Sequence, residues 1–190
     1  MGRRSGKAIA QKILRQRETL WPNADLYLWH RNKSKGFTTI PKTMPFILLA
    51  LDEMANGKPL SQTYLSLWCE TWDNSMLNAA KKDGLAFSAG FSKQRAEYIW
   101  RGRIKMLQEL GFIDIQAGKS GDISHILIWN PHIIIHWHHK NNTPGLTKGT
   151  YNALLEKAIE IGAEDDLSFP DDPNPSDQSS ARPILFIPTK

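Results

Sequence analysis

The sequence predicts a single α+β domain, mainly helical, with a small β-hairpin and charged extensions at both ends. Apolar residues recur at helical spacing through most of residues 44–110, and the pattern changes to alternation after Leu110. Of the 190 residues, 41% are apolar and 23% are charged, as in a globular protein with a packed core and unlike a disordered chain. This length favours one domain with tails over two domains.

Charge is divided unevenly along the chain. Residues 1–36 contain nine Lys or Arg and two acids, a net charge of +7, whereas residues 160–180 contain seven acids and no Lys or Arg. We therefore predict a basic N-terminal arm (1–36), a folded domain with flanking helices (37–162) and a flexible, acidic, Pro-rich tail with an apolar end (163–190). A basic body suits a partner rich in phosphate, although a merely soluble basic protein has the same composition.

The N-terminal arm contains a predicted amphipathic helix. Ile9, Ile13 and Leu14 share one stripe of residues 7–17, with basic residues around them. Such a helix suits a DNA-contacting arm. A frayed tail, a helix docked on the body and a helix lying on anionic lipid stay open as alternatives.

Three helices are predicted in the body outside the central motif. Residues 44–54 (MPFILLALDEM) form a buried helix that stops at Asn56-Gly57. A second helix starts at Ser61 as N-cap, and a third runs from about Tyr151 to Ile161. The second has an apolar face of Tyr64, Leu65, Trp68 and Trp72 and a buried Cys69, and the third brings together Leu154, Leu155, Ala158 and Ile159.

The central motif combines two helices, a tight turn and a hairpin. Ala86, Gly90, Ser92 and Ala96 stand where a helix-turn-helix needs a small residue, a turn glycine, an N-cap and a second small residue. The second helix is predicted from Ser92 to Leu110, with a buried stripe of Ala96, Ile99, Trp100, Ile104, Leu107 and Leu110. A hairpin follows, with strands at residues 112–116 and 123–129 and a glycine-rich turn at residues 118–122.

This arrangement resembles the winged-helix superfamily, as seen in many bacterial transcription regulators and plasmid replication initiators. The resemblance covers residues 37–131, and residues 111–115 with 128–131 are also similar to plasmid-borne accessory proteins. It implies a winged helix-turn-helix core with a two-stranded wing and extra N-terminal and C-terminal helices. It also implies that the helix from Ser92 enters a major groove while the wing tip touches the flanking backbone or the minor groove.

The residue types in this region suit duplex DNA. Gln94 can form a bidentate pair of hydrogen bonds with adenine, and Arg95 can do so with guanine. Lys93, Arg101, Arg103 and Lys105 are better suited to phosphates. On the wing, Lys119 and the backbone amides of Gly118 and Gly121 would make another phosphate contact. With Ser92 as N-cap, these residues form the predicted DNA-binding set. A solvated helix face is the alternative. We expect a regulator of transcription, or a replication, partition or conjugation accessory, of a bacterial mobile element.

Other classes of function have weaker signals. His132, His136, His138 and His139 invite a metal site, but no nearby Cys or Asp completes a ligand set, so we predict no metal and no cofactor. A nuclease or nucleotide hydrolase is a further alternative. The sequence contains no phosphate loop, nucleophile elbow or zinc-protease motif, so we predict no catalytic residue. The acidic pairs available to it are Asp52 and Glu53, Glu70 and Asp73, and Asp165 and Asp166.

A protein-interaction module without DNA binding is the third alternative, and a homodimer through the helix around Leu154 is compatible with either function. The single cysteine allows no internal disulfide, which favours the cytoplasm. No apolar run reaches the roughly 18 residues that span a bilayer. We therefore expect neither membrane insertion nor export.

Overall fold

The computed structural model describes residues 2–22, 24, 28–32, 34–92 and 94–167, and divides into one unit up to Phe37 and another from Thr38. This described part contains seven α-helices and three β-strands, so the predicted α+β class is confirmed. In chain order the elements are α1 (Gly2–Leu20), α2 (Met44–Met54), α3 (Ser61–Cys69), β1 (Met76–Asn78), α4 (Lys82–Ser88), α5 (Ala96–Glu109), β2 (Ile113–Gly118), β3 (Gly121–Ile128), α6 (Pro131–Lys140) and α7 (Lys148–Ile161).

The N-terminal unit consists of α1 and a following irregular segment. The predicted helix at residues 7–17 is confirmed as part of α1. Its apolar stripe of Ile9, Ile13 and Leu14 is exposed, at 56%, 61% and 43% of each residue's surface. In the irregular segment, the rings of Trp29 and Phe37 meet edge to face with their centroids 6.0 Å apart.

Helix α2 has the predicted bounds, and its end is set by backbone geometry. Asn56 and Gly57 take φ values of 47° and 75°, a left-handed conformation that a continuing helix cannot contain. Helix α3 begins at Ser61, but the prediction of Ser61 as its N-cap is wrong, because Leu60 holds that position and makes no side-chain cap. The Asp52 carboxylate of α2 accepts hydrogen bonds from the backbone N–H groups of Leu60 and Ser61, at 2.7 and 2.8 Å, and so caps α3.

The predicted apolar face of α3 is correct only in part. Tyr64 is fully buried, whereas Leu65 and Trp68 are half-buried against the core. Because α3 ends at Cys69, Trp72 lies beyond it and is 76% exposed. Cys69, in the last position of α3, is exposed as well, so the prediction of a buried cysteine is wrong.

The hairpin is confirmed and belongs to a larger sheet. Strands β2 and β3 pair antiparallel with Ile113 opposite Ile128 and Ile115 opposite Ile126. Strand β1 pairs antiparallel with the other edge of β3, which gives the order β1-β3-β2. The sequence did not predict β1 because it has three residues and one buried side chain, Leu77, too few to show alternation.

The C-terminal helices pack on α2. Helix α7 contacts both α2 and α6, and it buries Leu154 and Ala158 completely, whereas Ile159 is 57% exposed and not on the predicted apolar face. The prediction of a flexible tail from residue 163 is wrong for Glu164–Leu167. They form a 3-10 helix against α6 and α7, with Leu167 only 5% exposed. Residues 168–190 lie outside the described residues.

One apolar core joins these elements, because α3 packs on α2, α4 and α5, and α5 also packs on β2. The largest side chains that it buries completely are Trp100, Tyr64, Phe112, Ile47, Leu51, Leu60, Leu67, Ile104 and Leu107. In the part of the chain that the structure describes, no helix is both long and apolar enough to cross a bilayer.

Candidate nucleic-acid interface

A tight turn at Gly90 joins α4 to α5, as predicted. Gly90 has a φ of +86°, which favours glycine over any residue with a Cβ. The Gly90 N–H donates to the Phe87 carbonyl and the Phe91 N–H to the Ala86 carbonyl, both at 2.9 Å, so the end of α4 is closed by backbone bonds. Ala86 is fully buried, which fits its predicted role as the small residue of the first helix.

Helix α5 begins later than predicted. Its first residue is Ala96 and its N-cap position is held by Arg95, so the prediction of Ser92 as N-cap is wrong. Ser92 is exposed in the connection, and Gln94 and Arg95 are exposed in the turn that leads into α5. Lys93 lies outside the described residues. The proposed reading residues therefore precede the helix instead of forming its first turn.

The inner face of α5 is narrower than predicted. Trp100, Ile104 and Leu107 are fully buried, whereas Ala96 and Leu110 are half-buried. Ile99 is 38% exposed, so the prediction that it belongs to the buried stripe is wrong. Consecutive helical residues are separated by about 100°, so Ile99 points well away from its neighbour Trp100.

The outer face of α5 carries residues that the sequence analysis missed. Tyr98 is 76% exposed, and Gly102, Lys105 and Glu109 follow it at helical spacing on the exposed side. A Cβ at Gly102 would meet nothing within 4 Å, so nothing in the chain's own packing requires a glycine there. Glycine in a helix interior costs about 1 kcal/mol relative to alanine. The helical spacing of the buried residues in the sequence already implied that Tyr98, Gly102, Lys105 and Glu109 lie on the exposed side.

Arg101 does not belong to the predicted phosphate clamp. Its Nε donates to Glu97 of the same helix at 2.8 Å, and its Nη1 donates to both carboxylate oxygens of Asp122 at 2.8 Å. These bonds raise the pKa of Arg101 and lower that of Asp122. Because two carboxylates neutralise its charge, Arg101 ties α5 to the start of β3 and is not available to a phosphate.

The hairpin tip is held to α4 as well. Lys82 Nζ, at the start of α4, donates to the Ser120 carbonyl at 2.7 Å and lies 4.0 Å from Asp122. The Lys82 side chain is only 11% exposed, so it too is part of the frame. Helices α4 and α5 are therefore both connected to the hairpin by polar bonds at its tip end.

The hairpin turn itself is rigid. Ser124, which is 2% exposed, accepts from the Ser120 N–H at 3.1 Å and donates to the Gly121 carbonyl at 2.9 Å. A Cβ at Gly118 would lie 2.9 Å from the Ser124 Cβ, so only glycine fits this close approach. Lys119 is exposed at the tip of this braced turn, as the sequence analysis expected of a phosphate contact.

A shallow groove runs along the exposed side of α5. Lys58, from the α2–α3 connection, lines it together with Tyr98, Ile99, Gly102, Arg103, Met106 and other residues of α5, among them Arg101, Lys105 and Glu109. Arg103 is half-buried, and its Nε is inaccessible and without a hydrogen-bond partner among the described residues. The structure thus brings two predicted phosphate contacts, Arg103 and Lys105, into one groove with Lys58, which the sequence analysis did not consider.

The histidines of α6 are used inside the fold and do not converge on one point. His132 Nδ1 donates to Asn130 Oδ1 at 3.1 Å, so its Nε2 accepts from the Thr43 hydroxyl at 2.7 Å. His138 Nε2 donates to the Leu110 carbonyl at 2.8 Å, and its Nδ1 accepts from Thr143 at 2.9 Å. Burial lowers the pKa of both histidines, which keeps them neutral.

Asp52 and Glu53, the first acidic pair considered for a nuclease, are used in hydrogen bonds inside the fold. Asp52 caps α3, and Glu53 accepts hydrogen bonds from Thr147 and Thr150 in the α6–α7 connection and α7. Within the described ranges, no three His, Cys, Asp or Glu side chains lie close enough to hold a metal ion.

No protein-family model matches the chain, and neither a curated protein nor a solved structure matches it. Its function therefore has to be inferred from the geometry above.

Proposed function

We propose that this protein binds duplex DNA as a winged-helix protein, with α5 facing the major groove and the β2–β3 hairpin as the wing. The observation that carries the proposal is that polar bonds connect the hairpin tip to the helices. Arg101 and Lys82 fix the hairpin tip to α5 and α4, while the exposed positive charges of Arg95, Lys105 and Lys119 stay unpaired among the described residues. A braced surface of this kind presents charge in a fixed geometry, as phosphate contacts require.

The order of elements supports the proposal. Helices α4 and α5 are followed directly by the hairpin, as in a winged helix, and β1, which precedes α4, pairs with β3. The sheet therefore connects the segment before α4 to the hairpin after α5. A helix of about 10–12 Å diameter fits the major groove, which is about 12 Å wide.

The proposed roles follow from exposure and chemistry. Gln94 and Arg95, in the exposed turn before α5, are the candidates for base contacts, and Tyr98 adds an exposed aromatic ring one turn later. Lys105 and Lys119 contact phosphates on either side of them. A role as regulator or accessory protein of a bacterial mobile element rests on the winged-helix resemblance alone, since a fold does not determine a process.

The test is duplex binding at several salt concentrations, measured by fluorescence anisotropy with a labelled random duplex. The double variant Lys105→Gln/Lys119→Gln should weaken binding and reduce the slope of log K against log salt by about 0.9 for each lost phosphate contact. The control Lys148→Gln removes one exposed charge from α7 and should leave affinity and slope unchanged. An affinity that salt does not alter would contradict the proposal.

Base reading requires a separate experiment. Selection of bound fragments from a random duplex library should return a preferred sequence for the wild type. Arg95→Ala should lose that preference at one or two positions and keep its salt-dependent, non-specific affinity. An unchanged preferred sequence would remove Arg95 from the reading set.

A further inference from the structure

The groove beside Gly102 combines three features that the fold itself does not use. Gly102 exposes the α5 backbone with open space where a side chain would stand. Arg103 has no hydrogen bond or ion pair within the described residues, although its Nε is out of reach of bulk solvent. Lys58 lines the same groove from the α2–α3 connection, so the cations come from two parts of the chain.

The charges of the groove favour an anion beside Gly102 and Arg103. Lys58, Arg103 and Lys105 line it against one carboxylate, Glu109, and the charge of Arg101 is already neutralised. Glu109 is seven residues beyond Gly102, about 10 Å along the helix axis. An anion at Gly102 is therefore close to the unpaired guanidinium and well separated from the carboxylate.

The chemistry of the lining narrows the class of anion. A guanidinium suits phosphate oxygens because its N–H groups form a fixed fork. Ile99, Met106 and the Tyr98 ring give the groove an apolar wall. That wall suits the sugar next to a phosphate in a nucleotide chain, whereas a free inorganic anion would gain nothing from it.

We propose that this groove is a phosphate-ester site in which Arg103 and Lys58 hold the phosphate and the bare backbone at Gly102 allows it to approach α5. The inference rests on the proposed function, because the phosphate belongs to the backbone of bound duplex DNA. It lies beyond the DNA segment that Gln94 and Arg95 contact. The inference adds Lys58 and Gly102 to the interface and assigns Arg103 a ligand on the side of α5 away from the wing.

Gly102→Ala is the most informative variant, because stability and binding should change in opposite directions. Alanine improves helix propensity, and its methyl group meets nothing in the chain, so Tm should rise by about 2 °C. The same methyl group occupies the floor of the groove, and duplex affinity should fall about 5-fold. Gly149→Ala, an exposed glycine in α7, is the matched control and should leave duplex affinity unchanged.

Lys58→Gln tests the contribution of the α2–α3 connection to the groove without altering α5. It should weaken duplex binding about 3-fold and reduce the salt slope by about 0.9, the value for one phosphate contact. If the wild type binds duplex and both Lys58→Gln and Gly102→Ala bind as tightly, the groove inference is wrong while the proposed function stands.

A second arm uses small probes and does not depend on duplex binding. The Gly102 amide resonance of the wild type is followed by NMR during titration with a nucleoside monophosphate and with inorganic phosphate. If duplex binding is absent, a saturable shift with the monophosphate that Lys58→Gln abolishes supports a site for a free phosphate ester. No saturable shift with either probe, in a protein that also fails to bind duplex, would overturn the site.

Discussion

The outer side of α5 and the buried face of α6 both carry titratable side chains, but only one of them has its hydrogen bonds satisfied inside the fold. On α6, His132 and His138 use both ring nitrogens in bonds to the chain. On α5, Arg103 and Lys105 have no polar partner among the described residues. The difference separates side chains that the fold uses in its own hydrogen bonds from side chains that it does not use.

The same contrast occurs within α5. Arg101 and Arg103 are two residues apart and have the same chemistry, yet Arg101 is held by Glu97 and Asp122 while the Nε of Arg103 has no hydrogen-bond partner among the described residues. A helix places residues two apart on sides about 200° from each other. Residue type alone therefore cannot assign a basic helix residue to a ligand.

The largest effect is expected on the α6 side, where Gly145 approaches α2. A Cβ there would lie 2.6 Å from the Glu53 carbonyl oxygen, and the φ of Gly145 is +97°. Gly145→Ala should lower the free energy of unfolding by about 3 kcal/mol, since it adds a backbone clash to the strain of a positive φ. Urea denaturation measures the change.

Gly162→Ala is the control for that variant. Gly162 also has a positive φ, +69°, but a Cβ would meet nothing within 4 Å. Strain alone should cost about 1 kcal/mol. Equal losses in the two variants would mean that the close approach at Gly145 does not contribute. At temperatures where both variants are folded, duplex affinity should equal that of the wild type.

The buried histidines predict a pH dependence of stability. Burial lowers the pKa of His132 and His138 in the folded state below the 6.5 of the free side chain, so as pH falls the unfolded state takes up protons first. The free energy of unfolding should be steady above pH 7 and fall by about 2 kcal/mol toward pH 5.5, at up to about 1.4 kcal/mol per pH unit for each histidine.

The variant His138→Gln should make that decrease shallower, because one of the histidines whose pKa is lowered by burial is gone. A flat profile in the wild type between pH 7 and 5.5 would contradict the neutral state that burial favours for His132 and His138.

The sequence predicted those features that depend on local periodicity and backbone preference. The bounds of α2, the turn at Gly90, the hairpin and the stripe of Trp100, Ile104 and Leu107 all follow from short-range patterns. Strand β1 was missed, because three residues show no period, and the start of α5 was misplaced, because Ser92 matches the residue type of an N-cap without acting as one.

Partners that are distant in sequence explain the errors at the candidate site. Arg101 is bonded to Asp122, 21 residues later, and the cap of α3 comes from Asp52, eight residues before Leu60. Lys58 joins the groove from another element. None of these pairings has a signature in spacing, so the sequence could identify basic residues on α5 but not which of them the fold had already paired.

The two arginines of α5 give the next prediction. Arg101→Gln should weaken duplex binding about 5-fold by releasing the hairpin tip, whereas Arg103→Gln should weaken it to a similar extent by removing a phosphate contact. Amide hydrogen exchange distinguishes them: exchange in β2 and β3 should become faster in Arg101→Gln and stay unchanged in Arg103→Gln. If hairpin exchange is the same in both variants, Arg101 does not brace the hairpin.

The smallest effect concerns two tyrosines that repeat the contrast between satisfied and unsatisfied groups. The Tyr64 hydroxyl is buried, has no hydrogen-bond partner in the described part of the chain, and burial raises its pKa. The Tyr151 hydroxyl is 2.6 Å from His136 Nδ1. Burying a hydroxyl without a partner is unfavourable, whereas deleting one partner of a bond strands the other.

Tyr64→Phe should therefore raise the free energy of unfolding by about 0.5 kcal/mol, and Tyr151→Phe should lower it by about 1 kcal/mol. Both changes remove a single oxygen from a packed ring, so differences in side-chain volume cannot account for opposite signs. Urea denaturation at pH 7.5 measures both variants under equal conditions. A loss of stability in Tyr64→Phe would indicate that the Tyr64 hydroxyl has a partner after all, and the core around α3 and α5 would then be a second polar network like that of α6.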